Sequence, residues 1–396
     1  MTSKKPILFY ANLAAENETV APILPMDSGQ ISIAAQEELL LDGEFKVDSS
    51  GRGARMDIAA NRLKIVNALS ATPTQGTLEI LADDITQLGV DSLFLGGTRS
   101  IDKTSGDTNI NVVSSEVVFD TNAKVSVTDL VVAASDKVEV LSGAEINASG
   151  KVNTGDSVFN VTGDSALLRV SADKQITLNH TADSGASGDL LIRDGALLTA
   201  EQSMLLDSSK TTVVAGDIVM DGGALSIKAN SINIGDVTGL PDTALNLSND
   251  KLAKLTVDQL ALTSREAINF YGDVGLTDAS GQLSAISFDE LKLNAAGFVG
   301  HGNSEQVVKL AANTLQIENS ANAELTQAGS GQQRLEIAAN QYQQGEGDFA
   351  ITGFDKINLN VAQGINAVGD ATVTVSGDTT LSAGYITGTG GKLLTF

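Results

Sequence analysis

The side chains of this 396-residue chain that have the chemistry for catalysis are carboxylates and two imidazoles: 49 Asp and Glu, two His and no Cys. Carboxylate pairs cleave glycosidic bonds when one acts as acid and the other as base or nucleophile. Adjacent Asp83 and Asp84, and Asp183 three positions from His180, come nearest to such a constellation. Acids at turns and strand ends are equally what a solvated surface displays, and that reading is preferred. Two histidines are too few for a multi-histidine metal site or a conventional triad, and His180, in Asn179-His180-Thr181, is read as a surface or corner residue. The phosphate-binding pattern G-x-x-x-x-G-K-[ST] is absent, as are G-G-x-G-x-D calcium repeats. Turns such as Gly216-Asp217 and Asp221-Gly222-Gly223 carry oxygen donors for weak calcium binding at most. The expectation is a chain that is not an enzyme, with no catalytic, cofactor or metal residues.

Composition narrows the class of element that holds these groups. A formal charge of −24 repels nucleic acid and anionic surfaces. Without cysteine, stability rests on packing alone, which suits export as well as the cytosol. Aromatics are 4% and Trp is absent, so the core is built from Val, Ile, Leu and Ala in thin layers. Five prolines leave nearly every backbone N–H free for a ladder. The apolar run beginning at Ile7 breaks at Asn12, so the start reads as that of a fragment, and no apolar run is long enough to span a membrane as a helix.

A repeat organises the rest. Two alternating apolar residues, a small polar corner and a second alternating pair recur as Met56-Asp57-Ile58-Ala59-Ala60-Asn61-Arg62-Leu63-Lys64-Ile65, as Leu225 to Ile234, as Val308 to Ile317 and, more loosely, as Leu335 to Tyr342. Leu78-Glu79-Ile80 with Ile85 keeps the same step. Period-two alternation makes each half a half-buried strand. The corners are assigned to Asn61, Asp83, Asn230, Asn313 and Asn340, with one residue in the left-handed region at each bend and with stacked Asn amides sharing hydrogen bonds. Motif spacings of twenty-odd residues predict an all-β parallel solenoid over residues 31–396, of roughly sixteen coils. Residues 1–30 are assigned to a cap or extension, and a short helical interruption is expected near 241–256, where Ser248 is a candidate N-cap. The apolar C-terminal tract is expected to continue into further coils.

Asp91-Ser92-Leu93-Phe94-Leu95-Gly96-Gly97-Thr98-Arg99, Val131 to Val140 and Gly223 to Gly235 resemble phrases of the filamentous-haemagglutinin-like exoproteins of two-partner secretion, in a style of repetition that covers most of residues 50–390. The resemblance implies a right-handed parallel β-helix in a large secreted protein of a Gram-negative bacterium. It also implies passage through an outer-membrane β-barrel transporter partner and a role at the cell surface as an adhesin or stalk that meets a host receptor or glycan. The family's Asn-Pro-Asn secretion signatures are absent, which implies an internal or C-terminal segment. The alternative is a carbohydrate-binding or carbohydrate-cleaving β-helix protein of the lyase, glycosidase or tailspike type. That reading requires a groove with clustered acids and aromatics, whereas Tyr10, Tyr271, Tyr342 and Tyr385 are scattered along the chain.

Overall fold

The computed structural model describes residues 12–20, 27–36, 38–41, 43, 51–277 and 280–395. Strands dominate, and the largest sheet joins thirteen of them, from Gln30–Ala34 to Asp378–Gly388. Most of its pairings are parallel and join distant stretches of chain. Ser203 lies opposite Ala224, Glu290 opposite Thr314, Val307 opposite Arg334 and Lys356 opposite Asp378. These steps of 21 to 27 residues match the motif spacing. Those from Arg55 to Ser92 and from Leu93 to Leu130 are 37, because additional elements intervene.

Alternation explains the core. One column of facing apolar residues runs Met56, Leu93, Leu130, Val170, Met204, Leu225, Leu260, Leu291, Leu315, Tyr342 and Ile365, each opposite the next. Residues at this parity point to one face, so a single cluster buries them along nearly the whole sheet. Stacked identical positions need side chains of equal depth, which the scarcity of large rings provides. Smaller parallel sheets take the second halves of the motifs: Leu63 and Ile65 lie in a six-stranded sheet, and Ile232 and Ile234 in a seven-stranded one.

The motif copies are not all equivalent. Leu225 begins its motif, yet its column passes through Leu260 and Leu291 to Leu315, which begins the second half of its own. The same strand–corner–strand phrase is thus used at two different bends. Asn61 and Asn230 separate strands of different sheets, whereas Asn313 and Asn340 bend single strands, Val307–Glu318 and Gln333–Gln344.

Left-handed backbone at these corners does not occur. Among the described residues, positive φ outside glycine is found at Glu18, Asn122, Ala182 and Asn322. The Asn61 carbonyl accepts the Ser115 N–H and the Asn230 carbonyl the Glu266 N–H, so each corner is tied to a distant stretch of chain by a main-chain bond. Glycine takes the left-handed corners. Gly96, at φ 105°, would place a Cβ 1.9 Å from the Ala133 carbonyl oxygen. Asp83 is no corner either: it lies in the helix Ala82–Gln87, where two acids favour the first turn and Ala82 and Ile85, three apart, bury one face. A second short helix spans Asn249–Lys254, with the Lys251 N–H donating to Ser248 Oγ. The expected separation of 1–30 falls largely outside the described residues; pairing begins at Gln30.

Within the large sheet, one of the described strands runs the other way. Ala166–Ser171 is antiparallel to both neighbours, Asp129–Ala134 and Ser203–Ser208. It lies between Val158–Thr162 and Thr177–Thr181, which belong to a four-stranded sheet together with the hairpin Gly97–Ile101 and Thr108–Val112. This small sheet packs on the opposite face of the large one. Phe94, Val131, Ala133, Leu167 and Leu205 form a second apolar cluster with Ile110, Phe159, Val161 and Ile176. Strands 55–59, 92–95, 129–134, 166–171 and 203–208 are consequently buried on both faces. Each fully buried aliphatic or aromatic side chain there adds about 1.5–3 kcal/mol of transfer free energy.

Candidate functional site

A strand covered on both faces buries whatever its outward positions carry. Here several carry charge: Asp57, Asp129, Arg169 and Asp207, all at most 1% exposed. Buried charges are tolerated when paired and hydrogen-bonded. Arg99, from the small sheet, donates from Nε to Asp57 Oδ1 at 2.8 Å and from its backbone N–H to Asp57 Oδ2 at 2.8 Å. Its Nη1 donates to Ser92 Oγ at 2.6 Å, and Ser92 Oγ donates to Asp129. Asp129 accepts from Arg169 Nε at 2.9 Å, and Arg169 Nη1 reaches Ser203 Oγ, also at 2.9 Å. Burial lowers the Arg99 pKa and Asp57 opposes the shift. The result is a seam of alternating charge that crosses five strands between the two layers, with Arg55–Asp156 beside it at 2.5 Å.

At the end of the seam Ser165, His180 and Asp207 meet in an order that resembles a nucleophile–base–carboxylate relay. His180 Nδ1 is 2.5 Å from Asp207 Oδ2, and Nε2 is 3.3 Å from Ser165 Oγ. The closer partner of Nε2 is the Gly163 carbonyl at 2.7 Å. A carbonyl only accepts, so Nε2 carries a proton and has no lone pair to take one from serine. Burial disfavours the charged imidazole, but the hydrogen bond and charge of Asp207, with the Gly163 carbonyl, outweigh it and the pKa is raised. Ser165 is 1% exposed, so no substrate reaches it. The arrangement is an imidazolium–carboxylate clamp that joins Thr177–Thr181 to Ser203–Ser208, with Lys228 and Arg265 within 3.9 Å of Asp207.

The residues singled out in the sequence are dispersed. His180 is not at the surface: its side chain is fully buried, because the small sheet turns it toward the large one. Asp183 pairs with Arg265, which holds its carboxyl below the usual range against the opposing effect of burial. Asp83 and Asp84 sit on the helix, away from the seam. Asn313 and Asn340 do meet, Asn340 Nδ2 donating to Asn313 Oδ1 at 2.7 Å. Asn61 and Asn230 contribute main-chain carbonyls to their corners. Further amide ladders join Asn109, Asn160 and Asn179 at 3.2 and 3.0 Å, and Asn246, Asn233 and Asn269 at 2.8 and 3.2 Å. The buried charges were missed because alternation places Asp57, Arg169 and Asp207 outward, where a one-layer reading assigns them to water.

His301 lies elsewhere, stacked on Tyr271 at 4.4 Å and nearly parallel to it. Its Nε2 is 3.1 Å from Asn269 Oδ1, so the second amide ladder ends at this ring pair. Asn233, Asn269, Tyr271, His301, Glu266 and Gln327 line a cleft of about 460 Å³. Amide donors beside an aromatic face suit a polyhydroxylated ligand. Asp217 of the candidate calcium turns is 3.7 Å from Lys254, and no group of three or more metal-ligating side chains occurs among the described residues. No described helix is long and apolar enough to cross a membrane.

No family model, curated protein or solved structure matches the chain.

Proposed function

We propose that this chain is a right-handed parallel β-solenoid serving as the non-catalytic, adhesive rod of a secreted bacterial surface protein. In this reading it is exported through an outer-membrane β-barrel transporter and presented to a cell-surface receptor or glycan. The observation that carries it is the parallel stacking of motif strands, with Leu225, Leu260, Leu291 and Leu315 in one column. Successive coils of a solenoid pair in this way, and such stacks extend reach at little cost in sequence complexity. The sulfhydryl-free composition and the −24 charge suit an exported rod that resists lateral sticking.

Expression of the chain on a cell surface, followed by measurement of attachment to immobilised glycans and cells, tests this reading. Attachment above that of an empty display strain is expected. Oligosaccharide turnover by the purified chain, abolished by one carboxylate substitution, overturns the non-catalytic role.

The Tyr271–His301 cleft favours a second reading, a carbohydrate-binding β-helix. A saccharide ring stacked on Tyr271 while its hydroxyls bond the Asn233 and Asn269 amides would account for the juxtaposition. Glycan-array binding lost in Tyr271→Ala supports it.

A further inference from the structure

The small sheet ends abruptly. Among the described strands, Thr177–Thr181 pairs on one side only, in parallel with Val158–Thr162. Thr177 N–H donates to the Ser157 carbonyl, and the Gly163 N–H donates to the Thr181 carbonyl. In a parallel ladder alternate residues bond to opposite sides, so the main-chain groups of Leu178 and His180 face away from that partner. Exposure agrees. The His180 side chain is fully buried while the residue is 8% exposed, which places its accessible surface on the backbone.

Leu178 lies on a groove of about 490 Å³, walled by Gln175–Asn179 and floored by the outer face of the large sheet, including Leu205, Ser226, Ala261 and Thr263. The floor continues the surface on which the existing strands of the small sheet rest, since Leu205 belongs to the second apolar cluster. Lys228 and Lys292 offset Glu290 and Glu318 along the groove, so a neutral segment meets no net field.

Each rung already present shows what fits. The rungs place Asn109, Asn160 and Asn179 opposite one another on the outward face, with Ile110, Phe159 and Leu178 packed inward. The amides donate in one direction, Asn179 to Asn160 and Asn160 to Asn109. Among the described residues nothing donates to Asn179 Oδ1. The ladder therefore stops with an open acceptor beside an open backbone edge and a floor that mixes Leu205 and Ala261 with Ser226 and Thr263.

We propose that this edge is a strand-addition site, which takes an extended apolar–Asn–apolar segment of a partner polypeptide, parallel to Thr177–Thr181, with the partner's Asn amide donating to Asn179 Oδ1. Main-chain pairing supplies affinity and the alternate side chains supply selectivity. At ~3.3 Å per residue, five residues span about 16 Å of groove.

Fluorescence anisotropy of the whole chain with a labelled peptide Ser-Thr-Val-Asn-Val-Thr-Ser tests the proposal. Saturable binding is expected, abolished by N-methylation of alternate peptide nitrogens on the pairing edge, a change that leaves the protein untouched. Asn179→Ala, at an exposed position, is expected to weaken the Asn peptide about fivefold and to leave its Asn-to-Ala counterpart unchanged. The proposal is overturned by no saturable binding, by binding indifferent to N-methylation, or by equal effects of Asn179→Ala on both peptides. Concentration-dependent dimerisation of the chain alone, abolished by Asn179→Lys, would assign the edge to a second copy and overturn the partner assignment.

Discussion

His180 Nδ1 and Asp207 Oδ2, 2.5 Å apart and both in fully buried side chains, fasten the small sheet to the large one. The folded-state pKa of His180 is raised above its ordinary 6.5, so the clamp contributes its full stability below pH 6.5 and loses it as pH rises through the raised value. Denaturant unfolding of the wild type and of His180→Gln across pH 5 to 9 checks this. The stability difference between them should be greatest at the acid end and shrink above pH 6.5.

The Asp57–Arg99 pair gives a larger effect. Asp57→Ala strands a buried guanidinium and is expected to cost about 3–5 kcal/mol. Replacing both residues, as Asp57→Leu with Arg99→Leu, should recover only part of that loss, because the pair's desolvation is relieved while the Arg99 main-chain N–H and the Met56 and Ser92 carbonyls lose a partner. Thermal and urea unfolding of the single and double variants measure both.

Gly96 joins the strands Ser92–Leu95 and Gly97–Ile101 at φ 105°, against the Ala133 carbonyl. Gly96→Ala combines a disfavoured backbone with a steric collision and is expected to cost about 2–4 kcal/mol. Gly106→Ala, also at positive φ but facing open space, should cost about 1 kcal/mol. The ratio of the two, read from urea midpoints, separates close packing from backbone strain.

The strands and their main core are legible because alternation and spacing are local signals: Met56/Ile58 and Leu225/Ile227 declare their buried parity in five or six residues. The Asn313–Asn340 amide bond is legible for the same reason, since corner residues 27 positions apart fall opposite one another once their strands pair in parallel. The reversed strand Ala166–Ser171 is not, because its alternation reads identically in either direction. Nor is the small sheet, whose presence converts Phe94, Val131 and Leu205 from surface to core and Asp57, Arg169 and Asp207 from solvated to buried. Asp83 misled because Ala-Asp after an apolar pair fits a strand corner and a helix first turn equally well. His180 misled because burial of an edge residue is decided by a layer that its own neighbours do not announce.

Parallel in-register stacking is the claim on which the rest depends, and the absence of cysteine makes it directly measurable. With Asn313→Cys and Asn340→Cys introduced together, mild oxidation should close an intramolecular disulfide rapidly, because the two side chains already touch across adjacent parallel strands. Cysteines at 313 and 358, separated by an intervening strand, should stay reduced. A chain in which both 313 and 340 thiols react freely with alkylating reagent yet never cross-link would contradict the stacking.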